Sequence, residues 1–183
     1  HESDAVWKET PLKPLDNDRW RASFIADRLG GYRYSFEAWV IPERPVSSVS
    51  GEYSVWVDRE KAVFSRWYEL FPRSCAAHPG KHGTFRDVEA RLPYLAQMGF
   101  DVLYFPPIHP IALAKRKGKN NSNEAVAGDP GSPWAIGTEQ GGHTAIHPQL
   151  GTPDDFRRLI ESARKLGIEL ALDIALQCSP EHP

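Results

Sequence analysis

Cysteine is scarce in this sequence, which has two in 183 residues. Cys75 and Cys178 lie far apart and form none of the spacings of a metal site. Free thiols in a reducing compartment are favoured over a disulfide, which predicts a cytoplasmic protein. Histidine gives no metal signal either, because His109, His143 and His147 lack the spacing that places two ligands on one helix face. We therefore expect no metal and no cofactor.

Long hydrophobic runs are also missing. No apolar stretch approaches the roughly 20 residues that span a bilayer, and the first ten residues do not resemble a signal peptide. The net charge is only −2, whereas broad nucleic-acid surfaces carry a basic excess. We therefore expect neither a membrane nor a nucleic-acid partner. The single dense basic run, "KRKGKNN" at 115–121, must act locally if it acts at all.

The composition that remains is that of a folded globular chain, with 40% hydrophobic and 25% charged residues. In "WRASFIA" (20–26) and "YRYSFEAWV" (32–40), apolar residues alternate as in half-buried strands, and Gly30 and Gly31 between them predict a hairpin turn. Residues 41–53 have the composition of a linker. We predict a β-rich domain over residues 1–60 and a second domain over residues 61–183.

The second domain shows an α/β rhythm. Thr84 and Asp87 form a near-match to a capping box before a helical apolar pattern, in which Pro93 predicts a kink or a restart. "FDVLYF" (100–105) and "IELALDIAL" (168–176) predict strands buried on both faces. Between them, Thr152 caps a helix that Gly167 ends. Helix, strand, long loop, helix, strand indicates a parallel sheet or barrel.

The long loop, residues 106–142, is the most informative segment. Loops beyond about 15 residues are uncommon in compact domains and are often functional. This loop leaves the carboxyl end of a predicted parallel strand, where barrels and open α/β sheets place their active sites.

Six segments carry a family resemblance. The chain resembles the bacterial alpha-1,4-glucan:maltose-1-phosphate maltosyltransferases, a branch of the alpha-amylase superfamily of glycoside hydrolases. The segments are "WYELFPRS" (67–74), "HGTFRDVEARLPYLAQMGFDVLYFPPIHPI" (82–111), "RKGKNN" (116–121), "GDPGSPWAIG" (128–137), "GGHTAIHPQLGTPDDFRRL" (141–159) and "LALDIALQCSPEHP" (170–183).

The resemblance implies an α/β fold: the first three strands of a (β/α)8 TIM barrel, preceded by part of an antiparallel β-sandwich domain. The superfamily marks the end of its third strand with Asp, three residues, then Asn-His. Here Asp173 is followed by Gln177 and Cys178, as in the maltosyltransferase branch. The chain is thus expected to be a fragment that ends soon after the third strand.

The implied activity is retaining transfer of maltosyl units from alpha-maltose 1-phosphate to alpha-1,4-glucans, as in glycogen-like polymer synthesis. Such chemistry needs two carboxyl groups only about 5 Å apart across the scissile bond. In this superfamily the nucleophile and the acid/base follow later strands, so we expect both beyond Pro183 and the fragment alone to be inactive. The nearest alternatives are a glucan hydrolase or branching enzyme of the same superfamily. A non-catalytic carbohydrate-binding module is a third.

The resemblance also suggests binding residues. Lys117 aligns with the family's substrate-contacting lysine, and Gln177 is expected at the barrel mouth, since both side chains suit sugar hydroxyls or phosphate oxygens. Asn120, Asn121, Ser132 and His143 are weaker candidates for the pocket lining, with turn capping as their alternative role. Asp173 is expected to organise the strand end, and Lys115, Arg116 and Lys119 to be solvated.

One feature of the family is missing. Its members carry a helical insertion, associated with the homodimer, between the counterparts of "EAWV" and "VWVDRE". Here only a short Pro/Ser segment joins the two. The resemblance therefore puts the homodimer in doubt for this chain.

Overall fold

The computed structural model describes residues 1–40 and 47–183. They fall into two compact units, residues 1–64 and 65–183, which are described separately below. Part of the predicted linker, residues 41–46, lies outside the described residues. In the rest, Ser47–Val49 forms a paired strand inside the first unit, so the linker prediction is wrong there. In the described part of the chain, no helix has the length and apolarity needed to cross a bilayer.

The first unit consists of short antiparallel strand pairs. The strands are β1 (Lys13–Pro14), β2 (Trp20–Arg21), β3 (Gly30–Tyr34), β4 (Glu37–Trp39), β5 (Ser47–Val49) and β6 (Tyr53–Val57), followed by the helix α1 (Glu60–Val63). They pair as β1 with β2, β3 with β6 and β4 with β5, which gives three separate two-stranded sheets among the described residues of this unit.

The predicted hairpin around Gly30 and Gly31 is wrong, because both glycines lie inside β3 and the partner of β3 is β6. The preceding segment folds onto a side chain of β3 instead of pairing with its backbone. The buried Tyr32 hydroxyl accepts from the Arg28 amide at 2.9 Å and donates to Asp27 Oδ1 at 3.1 Å. The backbone carbonyl of Gly31 is taken by the amide of Glu2, at 2.9 Å.

The second unit is built on a parallel sheet in the order β7 (Trp67–Glu69), β8 (Val102–Phe105), β9 (Glu169–Leu172). The helix α2 (Phe85–Gln97) connects the first two strands and the helix α3 (Pro153–Lys165) precedes the third. Short 3-10 turns lie at Pro72–Ser74, Lys119–Asn121 and Pro148–Leu150. Parallel pairing brings the carboxyl ends of all three strands to one edge.

Both helices begin at the predicted caps. The Thr84 side chain accepts from the Asp87 amide, and Asp87 Oδ2 accepts from the Thr84 amide at 2.8 Å, a complete capping box. Thr152 and Asp155 repeat this arrangement at α3. The helix α2 continues through Pro93, so of the predicted kink or restart the restart is wrong, and the kink stays a prediction. Pro93 lies on the exposed face, while its neighbour Leu92 is packed in the core and keeps the turn in place.

The core lies between the sheet and the two helices. Its largest fully buried members come from α2, α3 and β8 and the residue that follows β8: Phe85, Val88, Leu92, Leu103, Phe105, Leu159 and Pro106. Burying side chains of this size contributes roughly 1.5–3 kcal/mol each. The strand β8 is the covered centre of the sheet, as its sequence predicted.

The strand β9 is less buried than predicted. Leu172 is 39% exposed, and beyond the strand Ile174 and Leu176 are 77% and 87% exposed. The reason is its position, since β9 lies at an edge of the described sheet and has a strand neighbour only in β8.

Polar contacts also join the two helices. Arg158 Nε donates to Glu89 Oε2 at 3.0 Å, and the hydroxyl of Ser162 donates to Glu89 Oε1 at 2.6 Å. Arg86 of α2 reaches Asp155 of the α3 capping box, with 3.3 Å between Nε and Oδ1. These contacts fix the side-by-side packing of α2 and α3.

Candidate functional site

The candidate site lies at the carboxyl edge of the parallel sheet. Two segments meet there: the long loop that follows β8, and residues 173–183, which follow β9. A β-bridge pairs Ile111 with Ile136 across the loop, and another pairs Ile136 with Cys178. Ile136 is fully buried, so the loop is anchored at its base by an apolar side chain as well as by backbone pairing.

The basic run forms a tight turn on the outside of this loop. Asn120 and Asn121 have φ values of 55° and 62°, and asparagine tolerates this left-handed region better than most residues. Both side chains are exposed. Lys117 is half-buried, and its Nζ donates to Asn123 Oδ1 at 2.5 Å.

Arg116 was predicted to be solvated, and this prediction is wrong. Its Nε and Nη2 each donate at 2.8 Å, to the carbonyls of Asp129 and Pro130, and its Nη1 donates to Ala112 O at 3.3 Å. A guanidinium presents its donors in a rigid fork, which suits several carbonyls at once. Arg116 therefore holds the two sides of the loop together, next to Lys117.

Arg73 braces the same loop from the 3-10 turn that follows β7. Its Nη1 donates to the Gly131 carbonyl at 2.7 Å. Burial lowers the pKa of Arg73, and the positive charge of Arg116 lowers it further. Ser132, a candidate for the pocket lining, is half-buried beside this contact, and its carbonyl accepts from the Ala135 amide at 3.0 Å.

Asp173 lies just past β9 and binds the loop. Its Oδ2 accepts from Trp134 Nε1 at 2.6 Å, and the Trp134 ring packs edge-on against Phe71, with 5.9 Å between ring centroids. Burial raises the pKa of Tyr104, and the neighbouring Asp173 carboxylate raises it further. Asp173 is thus in contact with a residue of the loop and adjacent to one of β8.

His143 belongs to a row of three imidazoles. Its Nδ1 lies 2.8 Å from His182 Nε2, and its Nε2 lies 2.6 Å from the carbonyl of Ala175. The ring of His109 lies at a tilt to that of His143, with 5.4 Å between centroids. Among the described residues, no group of three or more His, Cys, Asp or Glu side chains is arranged to hold a metal ion.

Two further histidines lie by a small apolar cavity of about 20 Å³. Burial lowers the pKa of both His82 and His147. In the described part of the chain, His147 Nδ1 is the one fully buried side-chain polar atom without a hydrogen-bond partner. A volume of this size admits one water molecule and excludes a sugar.

Gln177 is exposed past the end of β9. In the part of the chain that the structure describes, no hydrogen bond joins it to Lys117. A wider cleft of about 450 Å³ is lined by Arg116, Glu139 and Glu181 among others, and by neither Lys117 nor Gln177. Sequence reasoning missed Arg116 and Glu181 as contributors to the site. The available signal for Glu181 was its place in the segment "QCSPEHP" (177–183), which follows a predicted strand.

Comparison with known proteins gives two family matches. Residues 66–182, well over half the chain, match the alpha amylase catalytic domain. Residues 1–42 match domain N/S of alpha-1,4-glucan:maltose-1-phosphate maltosyltransferase. An alpha-amylase structure from Lactobacillus plantarum is similar with a TM-score of 0.51 and 33% identity, over 64% of this chain and 24% of that one.

Several relatives bear the name alpha-1,4-glucan:maltose-1-phosphate maltosyltransferase. The Pseudomonas aeruginosa protein is 65% identical over 134 residues, which are 73% of this chain and 20% of that protein. The Myxococcus xanthus protein is 39% identical, over 97% of this chain and 39% of that protein. The Methylacidiphilum infernorum protein is 37% identical, over 100% and 39%. The chain thus spans between a fifth and two fifths of the length of these relatives.

The alignment lengths reveal an internal difference. The Methylacidiphilum infernorum alignment runs over 259 positions and covers all 183 residues of this chain. At least 76 positions of that relative, the difference between these two numbers, therefore have no counterpart here. They lie within the matched region, which agrees with the expectation that an insertion found in the family is missing from this chain.

Proposed function

This chain belongs to the alpha-amylase catalytic-domain family, and from this premise we propose that its protein transfers maltosyl units from alpha-maltose 1-phosphate to alpha-1,4-glucan acceptors. The single observation that carries the proposal is the similarity to maltosyltransferases in both parts of the chain. This activity places the protein in the synthesis of a glycogen-like polymer. The two free cysteines support a cytoplasmic location.

The domain assignment follows from the same premise. We assign residues 1–60 to part of an N-terminal β-sandwich and residues 61–183 to the beginning of a (β/α)8 barrel. In this assignment β7, β8 and β9 are the first three barrel strands, and their parallel order with intervening helices supports it. The homodimer of the family is in doubt here, because a short Pro/Ser segment stands in place of the helical insertion associated with it.

Lys117 and Gln177 are assigned to the donor site. Both follow the carboxyl ends of parallel strands, where barrels of this kind bind substrates. The Lys117 ammonium has three donors and uses one of them on Asn123, so a phosphate or sugar oxygen can take another. Asn120, Asn121, Ser132 and His143 are assigned to the surrounding wall. No residue of this chain is assigned as nucleophile or general acid.

The test measures phosphate release from alpha-maltose 1-phosphate with a glucan acceptor, in an active maltosyltransferase that carries this sequence. We expect Lys117→Ala to lower kcat/KM at least tenfold, which is about 1.4 kcal/mol. Lys119→Ala is the matched control, because this exposed lysine belongs to the same turn. Equal kinetics for the two variants would show that Lys117 does not contact the donor. Release of glucose or maltose without transfer would favour a hydrolase.

A further inference from the structure

The segment that follows Gln177 contacts the long loop at several points. Ser179 is buried, and its amide donates to the carbonyl of Ile136 at 2.8 Å. Cys178 forms the β-bridge with the same residue. Residues 178 and 179 are therefore fixed to the base of the long loop, and the next residues start from a defined position.

Glu181 reaches the start of the basic turn. Its Oε2 accepts from the amides of Leu113 and Ala114, at 2.9 and 3.2 Å. Hydrogen bonds to an ionised acceptor are roughly twice as strong as neutral ones. The Leu113 side chain is 67% exposed, so apolar packing contributes little to holding this part of the loop. The Glu181 carboxylate thus anchors the backbone at Leu113 and Ala114, between the contacts of Ala112 and those of Arg116, on the path that leads to Lys117.

His182 reaches the other side of the loop. Its Nε2 lies 2.8 Å from His143 Nδ1 and accepts from the His143 amide at 3.3 Å. His182 packs against two glycines. A Cβ on Gly142 would lie 2.1 Å from His182 Nε2, and a Cβ on Gly137 would lie 2.7 Å from His182 Cα. Any side chain at these two positions would displace His182.

We propose that Glu181 and His182 are positioning residues of the donor site. Glu181 fixes the turn that carries Lys117, and His182 fixes the loop that carries His143, both relative to the strand end that carries Gln177. The proposal rests on the donor contact of Lys117 proposed above. It assigns the two residues no contact with the reacting atoms. Their effect on the reaction passes through the loop backbone.

The first test is amide hydrogen exchange in this chain, measured by NMR. We expect Glu181→Ala to speed exchange at the Leu113 and Ala114 amides at least tenfold and to leave the amides of Val102–Phe105 unchanged. Glu139→Ala is the control, because Glu139 lines the same cleft and makes no hydrogen bond to these two amides in the described structure. Unchanged exchange at both amides would overturn the proposal.

A second variant covers the case in which Glu181→Ala unfolds the chain, seen as lost protection in β8. Glu181→Gln keeps an acceptor oxygen and removes the charge, so it should speed exchange at the two amides by a smaller factor. Faster exchange at Leu113 and Ala114 with β8 protected supports the proposal. Exchange at the wild-type rate at both amides refutes it.

The second test is a double-mutant cycle in an active maltosyltransferase that carries this sequence. Glu181→Ala should raise KM for alpha-maltose 1-phosphate three- to tenfold and change kcat less than twofold, as expected for weakened binding. In the Lys117→Ala background the same change should cost less than twofold, because the lysine that Glu181 positions is gone. An equal cost in both backgrounds would overturn the proposal.

The two tests separate the two proposals. Normal kinetics in Lys117→Ala would refute the proposed contact between Lys117 and the donor. Amide exchange alone would then decide whether Glu181 anchors the loop. A tenfold loss in Lys117→Ala with normal kinetics in Glu181→Ala would leave the proposed function standing and remove the positioning role.

Discussion

Replacing Asp173 tests how the strand end is held to the loop. The Asp173 carboxylate accepts from Trp134 Nε1 at 2.6 Å, in a half-buried position. A hydrogen bond to a charged group contributes roughly 1.5–3 kcal/mol, and a buried donor left without a partner costs a similar amount. We therefore expect Asp173→Ala to lower the free energy of unfolding by about 2 kcal/mol. For a unit of this size that is a fall in Tm of roughly 8 °C.

The assay is urea unfolding followed by far-UV circular dichroism, with Asp173→Asn as the matched variant. Asparagine keeps an acceptor oxygen for the indole and removes the charge, so its cost should be about half that of alanine. A second readout is the phenol absorbance of Tyr104. Because the Asp173 charge contributes to its raised pKa, the pKa of Tyr104 should move down towards 10 in Asp173→Asn.

Two outcomes would contradict the prediction for Asp173. If alanine and asparagine at position 173 both unfold at the wild-type urea concentration, the indole contact does not stabilise the unit. If both variants lose the same stability, the charge and not the hydrogen bond is what matters. Either result would refute the reasoning from the 2.6 Å contact.

Three further predictions follow from other parts of the chain. The hydrogen bonds from Thr84 lower the pKa of Asp87, so the capping carboxylate stabilises the fold above pH 3.8, and this contribution is lost as the pH falls through the lowered pKa. Asp87→Asn should therefore lower the free energy of unfolding by about 1 kcal/mol at pH 7 and abolish that part of the acid sensitivity. Identical acid unfolding curves for the variant and the wild type would contradict this. Burial raises the pKa of the Cys75 thiol to about 11, so an alkylating reagent at pH 8 should label only the exposed Cys178, and native labelling in Cys178→Ser would be contrary evidence. Light scattering should give no dimer mass, because a short Pro/Ser segment stands here in place of the helical insertion that the family resemblance associates with the homodimer, and a dimer mass would show that the insertion is dispensable for assembly.

The elements with local signals were predictable. Thr84, Asp87, Thr152 and Gly167 are the start and stop residues of two helices, and each acts through atoms a few positions away. The strand β8 was recognised from its apolar run, because it is covered on both faces. The family resemblance was also correct, since it rests on motifs and not on contacts.

The errors concern partners far away in sequence. The pairing of β3 with β6 joins Gly30 to Val57, and alternation alone does not tell a strand which neighbour it takes. The exposure of Ile174 and Leu176 depends on where the sheet has its edge. Burial of this kind is a property of the assembled sheet, and hydrophobicity does not encode it.

At the site, sequence reasoning found the loop and misjudged some of its side chains. Lys117 was singled out by its motif, and the same motif gave no reason to separate Arg116 from its neighbours. The three carbonyl acceptors of Arg116 lie up to 14 positions away and become its partners only when the loop has closed. The contacts of Glu181 with the amides of Leu113 and Ala114 span 68 and 67 positions and were invisible for the same reason.

The polar bracing between α2 and α3 has a consequence for biosynthesis. Glu89 of α2 accepts hydrogen bonds from both Arg158 and Ser162, so α2 gains these partners only after the ribosome has added about 70 more residues. Contacts between neighbouring elements of a βαβ unit need no residue from a more distant part of the chain. A nascent polypeptide should therefore become resistant to protease at α2 only after α3 has cleared the exit tunnel.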